Sequence, residues 1–280
     1  MQVNHFGIDP IRLFADYMKV TGVPTSADEW GPDPRLSGKK LGVINGASWI
    51  SLWSTYFGKL LLPGVKIISV GNEGIQLNFM RAHQAGASCP PQINIDLFCR
   101  YARDLFDLVQ VDAILISCST MNRAFKQVSE QMKPLGVPVV QIDQAMMEEA
   151  VNTPFPSSEG RQGGVILVIA THGPTVKSTQ SLLKETAERL GKSVDFVGAT
   201  VEEAFELLGQ GRIVEHNRLI ADTIRKVQKR QHIDIVVLAQ LSMSIFLFSH
   251  PDPVAEFGIK VLNSGQTGFS RVAEVLAPKI

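Results

Sequence analysis

One apolar segment occurs twice at a fixed spacing, and that repetition limits the folds open to the chain. Val111-Asp-Ala-Ile-Leu-Ile-Ser-Cys-Ser-Thr120 and Ile233-Asp-Ile-Val-Val-Leu-Ala-Gln-Leu-Ser242 align when Asp112 is set against Asp234, an offset of 122 residues. The same offset sets Gly136 of Gly-Val-Pro-Val-Val against Gly258 of Gly-Ile-Lys-Val-Leu, so the repeat is in register over more than one element. Short, continuously apolar runs such as Ile114-Leu115-Ile116 are expected of strands covered on both faces, as in parallel α/β sheets. Chemistry in such sheets sits where the strands end, and Cys118 stands at that end. The turn Cys118-Ser119-Thr120 leads into a helical run from Asn122. Its backbone N–H groups are therefore expected to hold an anion and to lower the thiol pKa. The offset places Gln240 opposite Cys118, so one copy offers a thiol and the other an amide.

The rest of the chain alternates strand and helix. Residues 1–38 form an N-terminal arm with an amphipathic helix over Pro10–Val20 and a turn-rich stretch after it, expected to act as a lid or packing arm. Strands are expected at Lys40–Asn45 and Val65–Val70, then at 112–117 and 136–143, with helices ending at Leu62 and spanning Ile95–Val109. Asp143 is expected to cap a helix over Gln144–Val151. Pro, Ser and Gly crowd Asn152–Gly164, which reads as the connection between halves. The second half repeats the order: a strand at Val165–Ala170, a helix over Lys177–Leu190, a strand at Ser193–Val197, a helix over Glu215–Gln231, strands at 234–239 and Ile259–Asn263, and a final helix from Phe269. The expected fold class is α/β, with two pseudo-symmetric doubly wound parallel-sheet lobes, 39–151 and 152–280, and an active site in the cleft between them.

Composition narrows the partners. With 27 basic and 27 acidic residues the net charge is zero, which gives no footprint for nucleic acid or a membrane surface. No apolar run has the length of a membrane span, and the first residues lack a signal-peptide core, so a cytoplasmic location is expected. The default partner is a small molecule, with a homo-oligomer left open. Cys89, Cys99 and Cys118 are too few for a disulfide framework, and six histidines without mutual ligand spacing indicate no metal site. Gly209-Gln-Gly211 lacks the preceding strand of a dinucleotide fingerprint. No cofactor is therefore expected.

Candidate site residues follow from strand ends. Cys118 is the candidate nucleophile or acid/base, whereas Cys89 and Cys99 end no core strand and read as incidental. Ser119, Thr120 and Ser242 can hold a carboxylate through hydroxyls and N–H groups, or simply cap the turns that follow. Asn45 and Thr171 are candidate polar contacts from the loops after the first strand of each lobe. His172, in a cleft-facing loop, and Glu73, in Gly71-Asn-Glu-Gly74, are candidates for a second acid or base.

Four segments together resemble the aspartate/glutamate racemase superfamily, which also contains hydantoin racemases, maleate cis-trans isomerases and arylmalonate decarboxylases. They are Ile116-Ser-Cys-Ser-Thr120, Gly136-Val-Pro-Val-Val-Gln-Ile-Asp143, Val237-Leu-Ala-Gln-Leu-Ser-Met243 and Val261-Leu-Asn-Ser-Gly-Gln-Thr-Gly268, and the likeness extends over roughly residues 40–278. The resemblance implies a site between two lobes and a pair of cysteines, one per lobe, that exchange a proton across a substrate carbon. Cys118 matches the first of the pair. The second position is Gln240, which cannot titrate, so this chain departs from the two-thiol pattern. The expectation is a cofactor-independent, cysteine-dependent isomerase acting on a small carboxylate, with Gln240 binding substrate. A single-thiol lyase or decarboxylase is the first alternative, and a non-catalytic carboxylate-binding protein the second.

Overall fold

A computed structural model describes residues 7–22, 33–154 and 163–277. Helix α1 (Pro10–Thr21) is followed by β1 (Lys40–Asn45), α2 (Ser51–Leu61), β2 (Lys66–Gly71), α3 (Glu73–Gln84), α4 (Gln92–Val109), β3 (Ala113–Ile116), α5 (Phe125–Met132), β4 (Val139–Gln141) and α6 (Gln144–Asn152). The second half contains β5 (Val165–Ala170), α7 (Gly173–Arg189), β6 (Asp195–Thr200), α8 (Glu202–Gly209), α9 (Ile213–Gln228), β7 (Ile235–Leu238), α10 (Phe246–Ser249), α11 (Pro253–Phe257), β8 (Lys260–Asn263) and α12 (Ser264–Leu276). The strands form two parallel four-stranded sheets of the same order, β2-β1-β3-β4 and β6-β5-β7-β8. This is the two-lobed α/β architecture that the repeat implies.

The repeated residues perform repeated tasks. Asp112 Oδ2 accepts the Lys40 N–H at 2.8 Å, and Asp234 Oδ2 accepts the Val165 N–H at 2.7 Å. Each aspartate thereby ties the entry of its own central strand to that of the neighbour, β3 to β1 and β7 to β5. Gly136 and Gly258 adopt φ of 70° and 73°, left-handed conformations that L side chains rarely adopt, as the chain turns toward β4 and β8.

The last helix of each half crosses to the other lobe. Met146, Met147, Ala150 and Val151 of α6 pack with Ile166 and Val168 of β5 and Val237 of β7. Phe269, Val272 and Leu276 of α12 pack reciprocally with Leu41 and Val43 of β1 and Phe57 of α2. Glu148 of α6 accepts from Arg189 of α7 and Arg271 of α12, each at 2.7 Å, which links the exchanged helices. Burial of apolar area on both crossings holds the lobes at a fixed separation and so shapes the cleft.

Local differences from the sequence reading have physical causes. Asp143 does not cap α6: its backbone is helical and its carboxyl turns inward to accept from Ser119 Oγ at 3.1 Å. The helix expected from Asn122 begins instead as a 3-10 turn over Ser119–Ala124. The final helix starts at Ser264 rather than Phe269, because Asn263 supplies a side-chain cap to the Gln266 N–H at 3.0 Å. Helices α3, α10 and α11 stand where no element was expected, and α8 where the sequence shows only a helical pattern before Gly209 without bounds. The turn-rich stretch after α1 and the connection between halves lie largely outside the described residues.

Candidate active site

The carboxyl ends of the two sheets face one cleft, lined from the first lobe by Gly46, Trp49, Ile75, Phe79, Met80 and Ser117 to Thr120, and from the second by His172, Phe205 and Gln240 to Ser242. It encloses about 640 Å³ of empty space, part of it open to solvent. Cys118 and Gln240 occupy equivalent places. Each lies just past its central strand, has extended backbone, and opens a 3-10 turn, Ser119–Ala124 or Leu241–Ile245.

Cys118 sits on a braced platform. The preceding Ser117 hydroxyl donates to Asn45 Oδ1 at 2.6 Å, and the same oxygen accepts from Ser54 Oγ at 2.7 Å while Asn45 Nδ2 reaches the Val70 carbonyl at 3.2 Å. Asn45 therefore joins β1, β2, β3 and α2; it is fully buried and does not line the cleft. Gly46 leaves the space the thiol fills, since a β-carbon there would collide with Cys118 Sγ. Cys118 Sγ lies 3.1 Å from Thr120 Oγ1. Burial nevertheless pushes the thiol above its ordinary value of 9.0, opposed by the Thr120 hydroxyl and the N–H groups of Met121 and Thr120 and reinforced by the nearby Asp143. The expectation of a lowered thiol pKa is thus overturned: a short 3-10 turn offers few N–H groups, and desolvation outweighs them. Cys89 and Cys99 lie outside the cleft with their thiols also raised by burial.

Gln240 is held in one orientation. Its Oε1 accepts from the Thr171 backbone N–H at 2.6 Å and the Thr171 hydroxyl at 2.8 Å. A backbone N–H can only donate, so the amide oxygen must face it, which leaves Nε2 as the amide's donor to the cleft. Thr171 is fully buried and acts through Gln240 rather than lining the cleft. Ser119 lines the cleft with its hydroxyl committed to Asp143. The buried Asp143 carboxyl is pushed up to about 7 by desolvation, against the opposing hydroxyls of Ser119 and Ser264.

His172 does reach the cleft. It stands at the entrance of α7, its ring edge-to-face with Phe205 at 4.4 Å between centroids, and burial lowers its pKa below 6.5. Glu73 does not line the cleft. Its carboxylate accepts from the Ser48 N–H at 3.1 Å and from the Ser48 hydroxyl, bonds that hold its pKa below the ordinary value. It fastens the turn that delivers Trp49. The sequence reading missed Trp49, Phe79, Met80 and Phe205, three of which ride on α3 and α8.

A family model for Asp/Glu/hydantoin racemase matches residues 72–272. The chain belongs to that family. Solved structures of racemases share the fold at low identity. The aspartate racemase of Picrophilus torridus superposes with a TM-score of 0.63 at 13% identity, covering 87% of this chain and 96% of that one. Glutamate racemase of Francisella tularensis, solved with D-glutamate, gives 0.58 at 16%, covering 85% and 81%. Allantoin racemase of Klebsiella pneumoniae gives 0.53 at 17%, covering 85% and 88%. No curated protein matched by sequence. Family and neighbours support a racemase-like or isomerase-like enzyme. No helix among the described residues is long and apolar enough to cross a membrane.

Proposed function

We propose that the protein is a cofactor-independent isomerase that moves the α-proton of a small carboxylate between Cys118 and His172. One observation carries this reading: among the described residues lining the cleft, Cys118 and His172 are the only titratable side chains, one from each lobe. Burial favours the neutral form of each, so near neutral pH the site holds a protonated thiol and an unprotonated imidazole. The imidazole nitrogen takes the α-proton and leaves an enediolate. The thiol then delivers its proton to the carbon from the first lobe, and the resulting imidazolium and thiolate are neutralised by proton return through solvent. N–H groups of the turns at Ser119 and Leu241, with Gln240 Nε2, stabilise the developing oxyanion without a full positive charge. In this reading Gln240 is a donor, and His172 supplies the second titrating group that the two-thiol pattern would place at 240.

The test is incubation with chiral small acids in deuterated water, followed by optical rotation, α-deuterium and carbon loss. Isomerisation with α-exchange, abolished in both Cys118→Ser and His172→Gln, is expected. Loss of activity in Cys118→Ser alone, with carbon dioxide released, would replace this mechanism with single-thiol decarboxylation. Full activity in Cys118→Ser would remove the cysteine from the reaction.

A further inference from the structure

The walls of the cleft are uncharged and aromatic. Among the described residues that line it there is no Lys, Arg, Asp or Glu. A substrate anion can be met there by neutral N–H and hydroxyl donors, as at helix starts and oxyanion holes. A second carboxylate would enter without a counter-charge, and an unpaired buried charge is strongly unfavourable. The nearest carboxyls behind the lining, Asp143 beyond Ser119 and Glu202 by His172, would repel it further. An α-amino dicarboxylic acid carries such a group.

The apolar wall is assembled from both lobes. Trp49 comes from the turn fastened by Glu73, and Phe205 comes from α8; their ring centroids are 6.5 Å apart, inclined at 53°. Phe79 and Met80 of α3 continue the surface in the first lobe. Phe205 also carries the edge-to-face contact with His172, so the aromatic wall adjoins the imidazole. A group attached to the reacting carbon therefore meets rings, not charges.

Building on the reading of Cys118 and His172 as the reacting pair, we infer that the substrate is a monoanionic acid whose α-carbon bears an aromatic ring, with Trp49 and Phe205 as the residues that select it. Aromatic rings gain from area burial and from offset or edge contacts with other rings, whereas a carboxylate in the same place loses its hydration. Aspartate-like and glutamate-like acids are excluded by the same wall.

Binding measured separately from turnover tests this. Calorimetric titration of the full-length Cys118→Ser protein with 2-phenylpropionate, propionate, succinate, aspartate and glutamate reads affinity without chemistry. The expected result is 2-phenylpropionate bound at least about tenfold more tightly than the other four, as burial of one ring predicts. Phe205→Leu and Trp49→Leu should each reduce that preference about threefold or more while leaving propionate unchanged. Equal affinities, a preference for a dicarboxylate, or no saturable binding of 2-phenylpropionate overturns the inference. If 2-phenylpropionate binds but the wild-type protein leaves its α-proton in place, the assignment of substrate shape stands and the isomerase mechanism falls.

Discussion

Gln240 Oε1 lies 2.6 Å from the Thr171 amide nitrogen and 2.8 Å from the Thr171 hydroxyl, so the side chain opposite Cys118 presents its amide as a donor. Gln240→Glu keeps an acceptor toward Thr171 but puts a second, acceptor-only oxygen against the cleft. Affinity for a carboxylate ligand should fall at least about tenfold, roughly 1.4 kcal/mol or more. Gln240→Leu should cost less, because it removes a donor without adding repulsion. Titration of both variants with one ligand gives the order, and equal losses would argue that Gln240 is only a spacer.

Gly46 faces the thiol from the loop after β1, and a β-carbon there would collide with Cys118 Sγ and lie a tight 3.2 Å from Cys118 Cβ. Its backbone lies outside the left-handed region, so alanine is conformationally tolerated. The sulfur can rotate away. Gly46→Ala should therefore change stability by no more than about 1 kcal/mol while reducing kcat by about a hundredfold, since displacement of a reacting group by about 1 Å has effects of that size. Thermal melts and steady-state rates on the same preparation separate these effects. An active Gly46→Ala enzyme would mean that the thiol does not act from its observed position.

The Asp143 carboxyl, buried beside Ser119 and pushed up to about 7, makes stability depend on pH. For an acid whose folded pKa exceeds its unfolded 3.8, the folded state binds the proton more tightly. The contribution is complete below 3.8 and is lost as pH rises to about 7. Across that window the change is on the order of 4 kcal/mol. Asp143→Asn cannot ionise, so its denaturation midpoint should vary less across this window. Parallel slopes for both proteins would show that another group controls it.

The fold was legible because its instructions are local. Asp112 and Asp234, Gly136 and Gly258, and the apolar strands each carry a signal within a few residues, and the structure uses each pair in the same way. Cys118 and Gln240 were legible as strand-end residues for the same reason. Helix α3 was hidden because Ile75, Leu77 and Phe79 alternate as a strand's would; in the helix Leu77 is 66% exposed, which only its packing reveals. Helix α8 is one of eight residues, too short for periodicity to stand out. With both helices went Phe79, Met80 and Phe205, and hence the aromatic character of the cleft. The roles of Asn45, Thr171 and Glu73 were misplaced for a related reason. Their residue types suit ligand contact, but hydrogen bonds to residues distant in sequence turn them into braces for Ser117, Gln240 and Ser48.

The pH dependence of activity follows from the two neutral groups. His172 must be unprotonated to accept the α-proton, and burial lowers its pKa, so activity should fall on the acid side only below 6.5. Cys118 must be protonated to deliver its proton, and burial raises its pKa, so the alkaline fall should come above 9.0. The profile of kcat/KM should be a broad bell with a plateau between those limits. His172→Gln should abolish the acid limb together with most activity, whereas Asp143→Asn should retain both limbs, because Asp143 does not line the cleft and is the smallest of the influences on the Cys118 thiol. Alkylation of Cys118 should likewise accelerate as pH passes 9.0 rather than being fast at neutrality, and a saturating carboxylate should slow it. Rapid, pH-independent alkylation at neutral pH would show that Cys118 is a thiolate in the resting enzyme. It would then act as the base, and the direction of proton transfer assigned to the two lobes would be reversed.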